Sequence, residues 1–334
     1  MSDGSKISWT NTTWNPILGC DRVSPGCDSC YAITQARIRS ANPNPKIAAA
    51  FAGTVERTEA GLDWTGRVNL LPERLTQPLR WRKPRRIFVN SLADLFHDAV
   101  PDDFIAQVFA VMAGCPQHTF QVLTKRHARM RALLSSDAFR GEVARQAGRQ
   151  FENGDAMHDQ VAYGAWPLPN VWLGVSAEDQ KWAEIRVHAL LATPAAVRWV
   201  SAEPLLGPID LRNLKMGNGA LIDALCGDVK SPSGEIYAAC PGSVSWVVAG
   251  GESGPKARPA HPAWIRSLRD QCVGAGVPFH LKQWGEFAPA RHDEAWQVGT
   301  EFWPVWRYGR KSAGRELDGR EWQEYPGVRQ GVLT

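Results

Sequence analysis

The segment "GCDRVSPGCDSCYA" places Cys20, Cys27 and Cys30 within eleven residues, with six residues between the first two cysteines and two between the last two. Thiolates bind zinc and iron–sulfur clusters, and a structural zinc site normally has four protein ligands. The segment from 20 to 30 contains no histidine, and thirteen residues separate Cys226 from Cys240. The spacing therefore predicts a metal site with one open position. It favours an iron–sulfur cluster and leaves zinc as the alternative.

A second set of polar residues stands at or just past the ends of predicted strands. The carboxyl ends of parallel strands lie on one face of an α/β fold, where active sites form, so these residues are candidates for one site. Lysine and glutamate there can act as acids, bases or charge-stabilising groups, and for each residue alone a strand-end ion pair is the alternative. The candidates for chemistry are Lys125, Glu203, Glu252 and Lys282, and the polar groups beside them are Ser91, Asp94, Arg126, Ser176 and Glu178.

The elements that must position these residues alternate between strands and helices. In "PDDFIAQVFAVMAGCP", for example, Phe104, Ile105, Val108, Phe109 and Met112 form one apolar helical face. Such alternation predicts parallel strands joined by right-handed crossovers, in a barrel or a doubly wound sheet. About seven strands are expected, one ahead of Cys20 and the others within 86–96, 119–126, 170–179, 196–208, 245–254 and 277–285.

Three stretches do not fit this alternation and are predicted to be insertions, near residues 41–80, 135–169 and 207–244. We therefore expect one α/β domain over residues 1–285. The Trp-rich residues 286–334 are expected to form a C-terminal extension that packs on it.

The composition is that of a soluble globular protein, with 44% hydrophobic and 22% charged residues among 334. No apolar run approaches a membrane span, and the seven cysteines, an odd number, suit reduced thiols or metal ligands. These features predict a cytoplasmic protein that does not associate with membranes. A net charge of +4 permits an anionic partner. The basic run "RWRKPRR" at 80–86 is expected to be a solvated loop, with nucleic-acid contact as the alternative.

Several stretches between residue 19 and residue 326 match a known sequence pattern, and they are "GCDRVSPGCDSCYA", "VNSLADLFHDAVP", "HTFQVLTKR", "NVWLGVSAEDQ", "RWVSAEPLLGP", "VVAGGESGPKARP", "PFHLKQWGEF" and "ELDGREWQEYP". Through them, nearly the whole chain resembles a phage and prophage family of unassigned activity that is known for a three-cysteine motif. More widely, the three-cysteine loop after a strand resembles the radical S-adenosylmethionine (SAM) superfamily.

The resemblance implies a partial (β/α)6-type barrel that holds a [4Fe-4S] cluster through Cys20, Cys27 and Cys30, with SAM on the open iron. Reductive cleavage of SAM would then produce a 5′-deoxyadenosyl radical that acts on an unknown substrate, with nucleic acid or a nucleotide as a candidate. The implied SAM contacts are Tyr31 to adenine, Ser176 and Glu178 to the ribose, Arg186 to the carboxylate, and Ser91 and Asp94 to the amino group.

The same resemblance implies an external electron donor, a companion protein encoded nearby and, for a phage-encoded chain, the host cytoplasm. A second hypothesis stays open from the residues themselves. In it, zinc or a cluster stabilises a nucleic-acid-binding phage protein that performs no SAM chemistry.

Overall fold

The predicted parallel strands are present in the computed structural model, which describes residues 4–59, 61–292 and 294–327. The chain divides into two compact units, one made of Met1–Ser176 with His188–Ala196 and the other of Ala177–Val187 with Val197–Thr334. The elements of the first unit, in chain order, are β1 (Thr12–Trp14), β2 (Ile17–Leu18), α1 (Tyr31–Ser40), α2 (Pro45–Ala50), β3 (Val55–Thr58), β4 (Gly61–Trp64), β5 (Asn69–Leu70), β6 (Arg86–Val89), α3 (Asp102–Ala113), β7 (Thr119–Thr124), α4 (His127–Leu134), α5 (Asp137–Gln150), α6 (Gly154–Tyr163) and β8 (Val171–Ser176).

Four of these strands are parallel and lie in the order β1-β6-β7-β8. The register pairs Thr13 with Phe88, and Phe88 with Gln121. Every residue of β8 is buried, as expected for a strand covered on both faces. The predicted apolar face of α3 is also confirmed, because all five of its residues are buried.

Two of the predicted insertions lie in the first unit, and both contain regular structure. Residues 41–80 include α2, the antiparallel pair β3 and β4, and β5, which pairs with β2. Residues 135–169 include α5 and α6, and α5 packs against α3 through the rings of Phe109 and Phe139, 6.0 Å apart.

The second unit contains the other three parallel strands, in the order β9-β14-β15. Its elements are α7 (Gln180–Leu191), which continues into the first unit from His188, then β9 (Val197–Ala202), β10 (Leu214–Lys215), β11 (Leu221–Asp223), β12 (Asp228–Lys230), β13 (Ile236–Ala239), β14 (Trp246–Gly250), α8 (Pro262–Ala275), β15 (Phe279–Gln283), β16 (Phe287–Pro289), β17 (Trp296–Val298), β18 (Glu301–Trp303), β19 (Val305–Arg307), α9 (Arg310–Ala313), β20 (Glu316–Leu317) and β21 (Arg320–Glu321).

The remaining strands of the second unit are antiparallel. The third predicted insertion, 207–244, carries a four-stranded sheet in the order β10-β11-β12-β13. The segment after residue 285 forms the pairs β16–β19, β17–β18 and β20–β21. This segment is grouped in one unit with β9, β14 and β15. The predicted division after residue 285 stays a prediction, and residues 328–334 of it lie outside the described residues.

The chain is thus a mixed α/β protein with seven parallel strands flanked by helices, as its alternating pattern predicts. Closure into a (β/α)6-type barrel stays a prediction. None of the helices in the described ranges is both long enough and apolar enough to cross a membrane.

Candidate functional site

The three-cysteine loop connects β2 to α1 in the first unit. Cys27 ends a short 3-10 helix, Pro25–Cys27, and its carbonyl oxygen accepts a hydrogen bond from the Cys30 N–H at 3.3 Å. Cys30 is the residue immediately before α1, and its own carbonyl accepts from the Ile33 N–H at 3.2 Å. The backbone of Cys27 and Cys30 is therefore fixed by local hydrogen bonds at the beginning of a helix.

Gly19, directly before Cys20, sets the course of this loop. Its φ of +94° lies in the region that favours glycine, and a Cβ added there would come within 2.1 Å of the carbonyl oxygen of Arg67. Gly19 also forms a parallel bridge with Ala93, in the loop that follows β6. Glycine thus allows Cys20 to approach the carboxyl end of a parallel strand.

The three thiols lie in a weakly solvated environment. Cys27 is buried, whereas Cys20 and Cys30 are half-buried and pack against the apolar cluster that includes Leu18 and Ile33. The pKa of Cys20 is raised to about 12, mainly by burial and also by the charges of Asp94, Cys30 and Cys27, while the charge of Arg126 opposes the rise. Burial also raises the pKa of Cys30, with Cys27 contributing. Cys27 and Cys30 thus lie near enough to Cys20 for their charges to raise its pKa.

The donor set of this loop suits a thiolate-bound metal centre. Three thiols match a cluster with one open iron, and zinc with one further ligand is the alternative. Within 4–59, 61–292 and 294–327, no group of three or more His, Cys, Asp or Glu side chains has an arrangement that could hold a metal ion. The fit to a metal therefore rests on the donor chemistry, and metal binding would have to draw the sulfur atoms together.

A charged network surrounds Cys20. The Arg126 guanidinium lies 3.8 Å from Cys20 Sγ and 3.4 Å from Asp94 Oδ2, and it also pairs with Asp21. The Arg126 side chain is only 9% exposed. His97 Nε2 lies 3.3 Å from Asp21 Oδ1, and burial lowers the pKa of His97, which favours its neutral form. The network thus places one guanidinium between two carboxylates and a thiol.

Asp94 is the central acceptor of this network. Its Oδ1 accepts from the Thr124 hydroxyl at 2.7 Å and from the Phe96 N–H at 3.0 Å, while Oδ2 accepts from the Lys125 N–H at 2.9 Å and pairs with Arg126. A carboxylate has about four lone-pair positions, so these four donors occupy its capacity. The structure therefore brings the predicted site residues Asp94 and Lys125 to Cys20.

Two of the predicted SAM contacts meet beside Cys30. The Tyr31 hydroxyl donates to the carbonyl oxygen of Ser91 at 2.6 Å, and the Ser91 hydroxyl donates to Asn15 Oδ1 at 3.2 Å. Tyr31 is 50% exposed, so part of its ring remains accessible to a ligand. Of the first-unit candidates, the structure thus gathers Tyr31 and Ser91 with the cysteine loop.

The other predicted SAM contacts are buried. Ser176 is the buried last residue of β8 in the first unit. In the second unit, Arg186 Nη1 lies 2.9 Å from Glu178 Oε2, neither side chain has any exposure, and the guanidinium lies 4.2 Å from the Trp182 ring centre. Glu178 and Arg186 therefore bind each other in the interior. Their contacts with SAM stay a prediction.

Glu203 and Lys282 also form a pair, at strand ends of the second unit. Glu203 follows β9 and Lys282 lies in β15, with Lys282 Nζ 3.0 Å from Glu203 Oε1 and the Ser201 hydroxyl 3.1 Å from Oε2. Gly250, which ends β14, leaves room for the carboxylate, because a Cβ there would come within 2.7 Å of Glu203 Oε1. This is the strand-end ion pair that the sequence offers as the alternative to catalysis.

Glu252 is engaged by a residue of its own loop. The backbone N–H and the Nε of Arg258 donate to Glu252 Oε2 at 2.8 and 3.0 Å, and Glu252 is buried. The neighbouring Gly251 lies so close to the Trp284 carbonyl that an added Cβ would come within 2.0 Å of its oxygen. The glycines of "AGGESG" therefore permit a close approach of two backbone segments.

Sequence reasoning missed Asp21 as a partner of Arg126 and His97. The adjacency of Asp21 to Cys20 in "GCD" was the only local signal for it. Arg126 was placed at a strand end, but nothing in its sequence neighbourhood pointed to Cys20, which lies 106 residues earlier.

Together, these features define a class, the mixed α/β proteins with parallel strands and a three-cysteine loop beside the strand ends. The chain belongs to the family described as "Protein of unknown function (DUF5131)", whose model matches residues 4–326. A comparison with curated proteins finds no match, and a comparison with solved structures finds none either.

Proposed function

We propose that this chain is an iron–sulfur enzyme that binds a [4Fe-4S] cluster through Cys20, Cys27 and Cys30 and uses SAM as its co-substrate. The observation that carries the proposal is the three-cysteine loop itself, which the Gly19–Ala93 bridge fixes beyond the end of β6, with Cys27 near enough to raise the pKa of both Cys20 and Cys30. When bound and reduced by an external electron donor, the cluster would cleave SAM and supply a 5′-deoxyadenosyl radical that abstracts hydrogen from the substrate. A closed (β/α)6-type barrel is part of this proposal.

Residues of the first unit would bind and orient SAM. The exposed part of the Tyr31 ring, next to Cys30, is suited to stacking on a purine. The hydrogen bond from the Tyr31 hydroxyl to the Ser91 carbonyl oxygen holds that ring in one orientation. Lys125 lies near enough to Cys30 to lower its pKa, so its ammonium can offset negative charge there.

In the second unit, Glu203 and Lys282 are proposed to hold a proton for the substrate. Their 3.0 Å pair holds Lys282 Nζ in one place, with 23% of its side chain accessible. A nucleic-acid-derived substrate would present hydroxyl or phosphate oxygens that such an ammonium can bind. Glu252, which is bound to Arg258, is proposed to orient that arginine.

The decisive experiment is anaerobic reconstitution of the purified chain with iron and sulfide, followed by SAM and a strong reductant. We expect the reconstituted protein to show the broad visible absorption band that is typical of [4Fe-4S] proteins. We also expect mass spectrometry to detect 5′-deoxyadenosine among the products. An intact cluster that neither binds nor cleaves SAM would overturn the proposed enzyme.

Two cysteine variants test the ligand assignment. Cys27→Ser should lose the cluster, whereas Cys272→Ala should retain it, because Cys272 is a buried thiol of α8 outside the loop. The unfolding midpoints of both variants report whether a loss of cluster is a loss of fold. A correctly folded Cys27→Ser protein with a full cluster would contradict the assignment.

A second candidate function is nucleic-acid binding by a chain that zinc or a cluster stabilises. It is favoured by the basic run 80–86, in which Arg80, Arg82 and Lys83 are exposed and Trp81 stacks with Arg85 at 5.3 Å. Triple replacement of the exposed cations by Gln should weaken binding to a DNA or RNA oligonucleotide and reduce its salt dependence. If the triple variant binds the oligonucleotide as tightly as the unmodified chain and with the same salt dependence, this candidate function is removed.

A further inference from the structure

Arg126 is the charged side chain that connects the cysteine loop to the end of β7. It follows Thr124, the last residue of that strand, by two positions, yet it contacts Cys20, which precedes it by 106 residues. The proposed enzyme gives Arg126 no role, since the resemblance assigns none to it. Its guanidinium, however, contacts Cys20, the neighbouring Asp21 and Asp94.

We propose that Arg126 is a positioning residue for the metal-bound sulfur of Cys20, donating a hydrogen bond to it and offsetting the negative charge of the centre. This inference rests on the proposed metal site, although it does not depend on SAM chemistry. Residues that hydrogen-bond to a metal ligand without binding the metal themselves commonly orient that ligand and adjust the affinity and redox potential of the metal.

The guanidinium is held in place from two sides. Asp21 pairs with it from the residue next to Cys20, and Asp94 Oδ2 lies 3.4 Å away on the other side. Arginine presents five donors in a rigid plane, so it can bind two carboxylates and still direct an N–H toward a third acceptor. That third direction leads to Cys20 Sγ, 3.8 Å from Nη1.

The carboxylates are themselves held by other groups. Asp94 accepts from the Thr124 hydroxyl and from the backbone N–H groups of Phe96 and Lys125. These bonds occupy the remaining acceptor positions of Asp94, so its function in this network is to hold Arg126. Asp21 meets His97 Nε2 at 3.3 Å. The position of the guanidinium is thus decided before any metal arrives.

Charge explains why the position matters. The carboxyl groups of Asp21 and Asp94 lie beside Cys20, and the Arg126 guanidinium supplies a positive charge between them. A thiolate-bound cluster is itself anionic and becomes more so on reduction. A guanidinium at the sulfur therefore stabilises the reduced form relative to the oxidised form and raises the reduction potential. Without it, two carboxylates would face the metal-bound sulfur.

The test compares Arg126→Gln, Arg126→Lys and the matched control Arg131→Gln in the full-length chain. Arg131 is an exposed arginine of α4, five residues further along the same segment. The probe is Zn²⁺, titrated into the reduced apoprotein in competition with a chromophoric chelator. Zinc uses the same thiols and needs neither iron nor SAM.

We expect Arg126→Gln to bind Zn²⁺ about 10–100-fold more weakly than the unmodified chain. Arg126→Lys should lie between the two, because it keeps the charge but loses the planar fork, and Arg131→Gln should match the unmodified chain. In the reconstituted iron–sulfur form, the midpoint potential of Arg126→Gln should shift to a more negative value, whereas that of Arg131→Gln should not move.

The outcomes separate this inference from the proposed enzyme. An unmodified chain that binds Zn²⁺ through the thiols but assembles no cluster overturns the enzyme, and the zinc series still decides the role of Arg126. A folded Arg126→Gln protein with the zinc affinity and midpoint potential of the Arg131→Gln control overturns the inference. If Arg126→Gln does not fold, the test rests on Arg126→Lys. A zinc affinity and midpoint potential of Arg126→Lys equal to those of the unmodified chain would show that the planar guanidinium is not needed. That result would overturn the proposed hydrogen bond from Arg126 to Cys20. An unmodified chain that binds neither zinc nor iron overturns both.

Discussion

Arg126 and Arg186 are both arginines bound by carboxylates, but their surroundings differ. Arg186, in the second unit, pairs with Glu178 at 2.9 Å and stacks on Trp182, and neither charged side chain is exposed. Arg126, in the first unit, is shared between Asp94, half-exposed Asp21 and the thiol of Cys20.

The difference concerns what each arginine is able to do. A charge pair in a fully buried position is costly to form and very costly to break, so its removal should show in folding. The hydrogen bond from an arginine to a metal-ligand thiol can become stronger when that thiol ionises or binds a metal. We therefore expect Arg186 to act on stability and Arg126 to act on the metal site.

The largest expected effect comes from breaking the Arg186 pair. Arg186→Met should lower the free energy of unfolding by about 3–5 kcal/mol, because the buried Glu178 carboxylate would lose the guanidinium that pairs with it. Urea unfolding followed by tryptophan fluorescence measures it, and Arg131→Gln serves as the exposed-arginine control. A loss of SAM affinity with unchanged stability would instead support the predicted role of Arg186 at the SAM carboxylate.

A smaller effect is expected at the carboxylate that holds Arg126. Asp94→Asn should cost about 1.5–3 kcal/mol, since an amide cannot accept from all four donors and one hydrogen bond to a charged group is lost. Unfolding measurements give the cost, and zinc titration shows whether the cysteine site weakens in parallel. Weakened SAM binding with intact zinc affinity would favour a direct contact between Asp94 and the SAM amino group.

The backbone before Cys20 gives a third test. Gly19→Ala should destabilise the chain by about 1–3 kcal/mol, because an L-residue at φ +94° is strained and its Cβ would meet the Arg67 carbonyl. Gly141→Ala is the matched control. Gly141 lies inside α5 with nothing within 4 Å of an added Cβ, so alanine there should stabilise the chain by about 0.5–1 kcal/mol. Equal effects of the two substitutions would show that the loop before Cys20 adapts freely.

The smallest expected effect is the contribution of three thiols with raised pKa values to the pH dependence of the free energy of unfolding. Burial raises the pKa of Cys20, Cys115 and Cys272 to about 12, above the ordinary value of 9.0. The folded state therefore holds these protons more tightly than the unfolded state, so their contribution is complete below pH 9 and is lost as pH rises toward 12.

The cysteine next to Arg126 should account for part of this dependence. In Cys20→Ser, the fall in unfolding free energy between pH 9 and pH 11 should be shallower than in the unmodified apoprotein, by at most about 1.4 kcal/mol per pH unit. Cys226→Ser, at an exposed cysteine, should change the slope less. Identical slopes for all three proteins would contradict the raised pKa of Cys20.

Local patterns predicted much of the fold. Helices were expected between the strands, and the apolar face of α3 was readable from helical periodicity and is confirmed. The parallel strands followed from runs of buried residue types between those helices. The helices α5 and α6 were missed as regular structure, because their sequence is polar and contains glycine, and their helical form is supported by the packing of α5 against α3 and of α6 against α5.

The sequence by itself determined the alternation of strands and helices and the spacing of Cys20, Cys27 and Cys30, since both are properties of neighbouring residues. Only the tertiary structure decided that Asp94 and Arg126 surround Cys20, and that Lys282 pairs with Glu203. Those contacts join residues far apart in the chain. The order of parallel strands, and not any local preference, determines which strand ends meet.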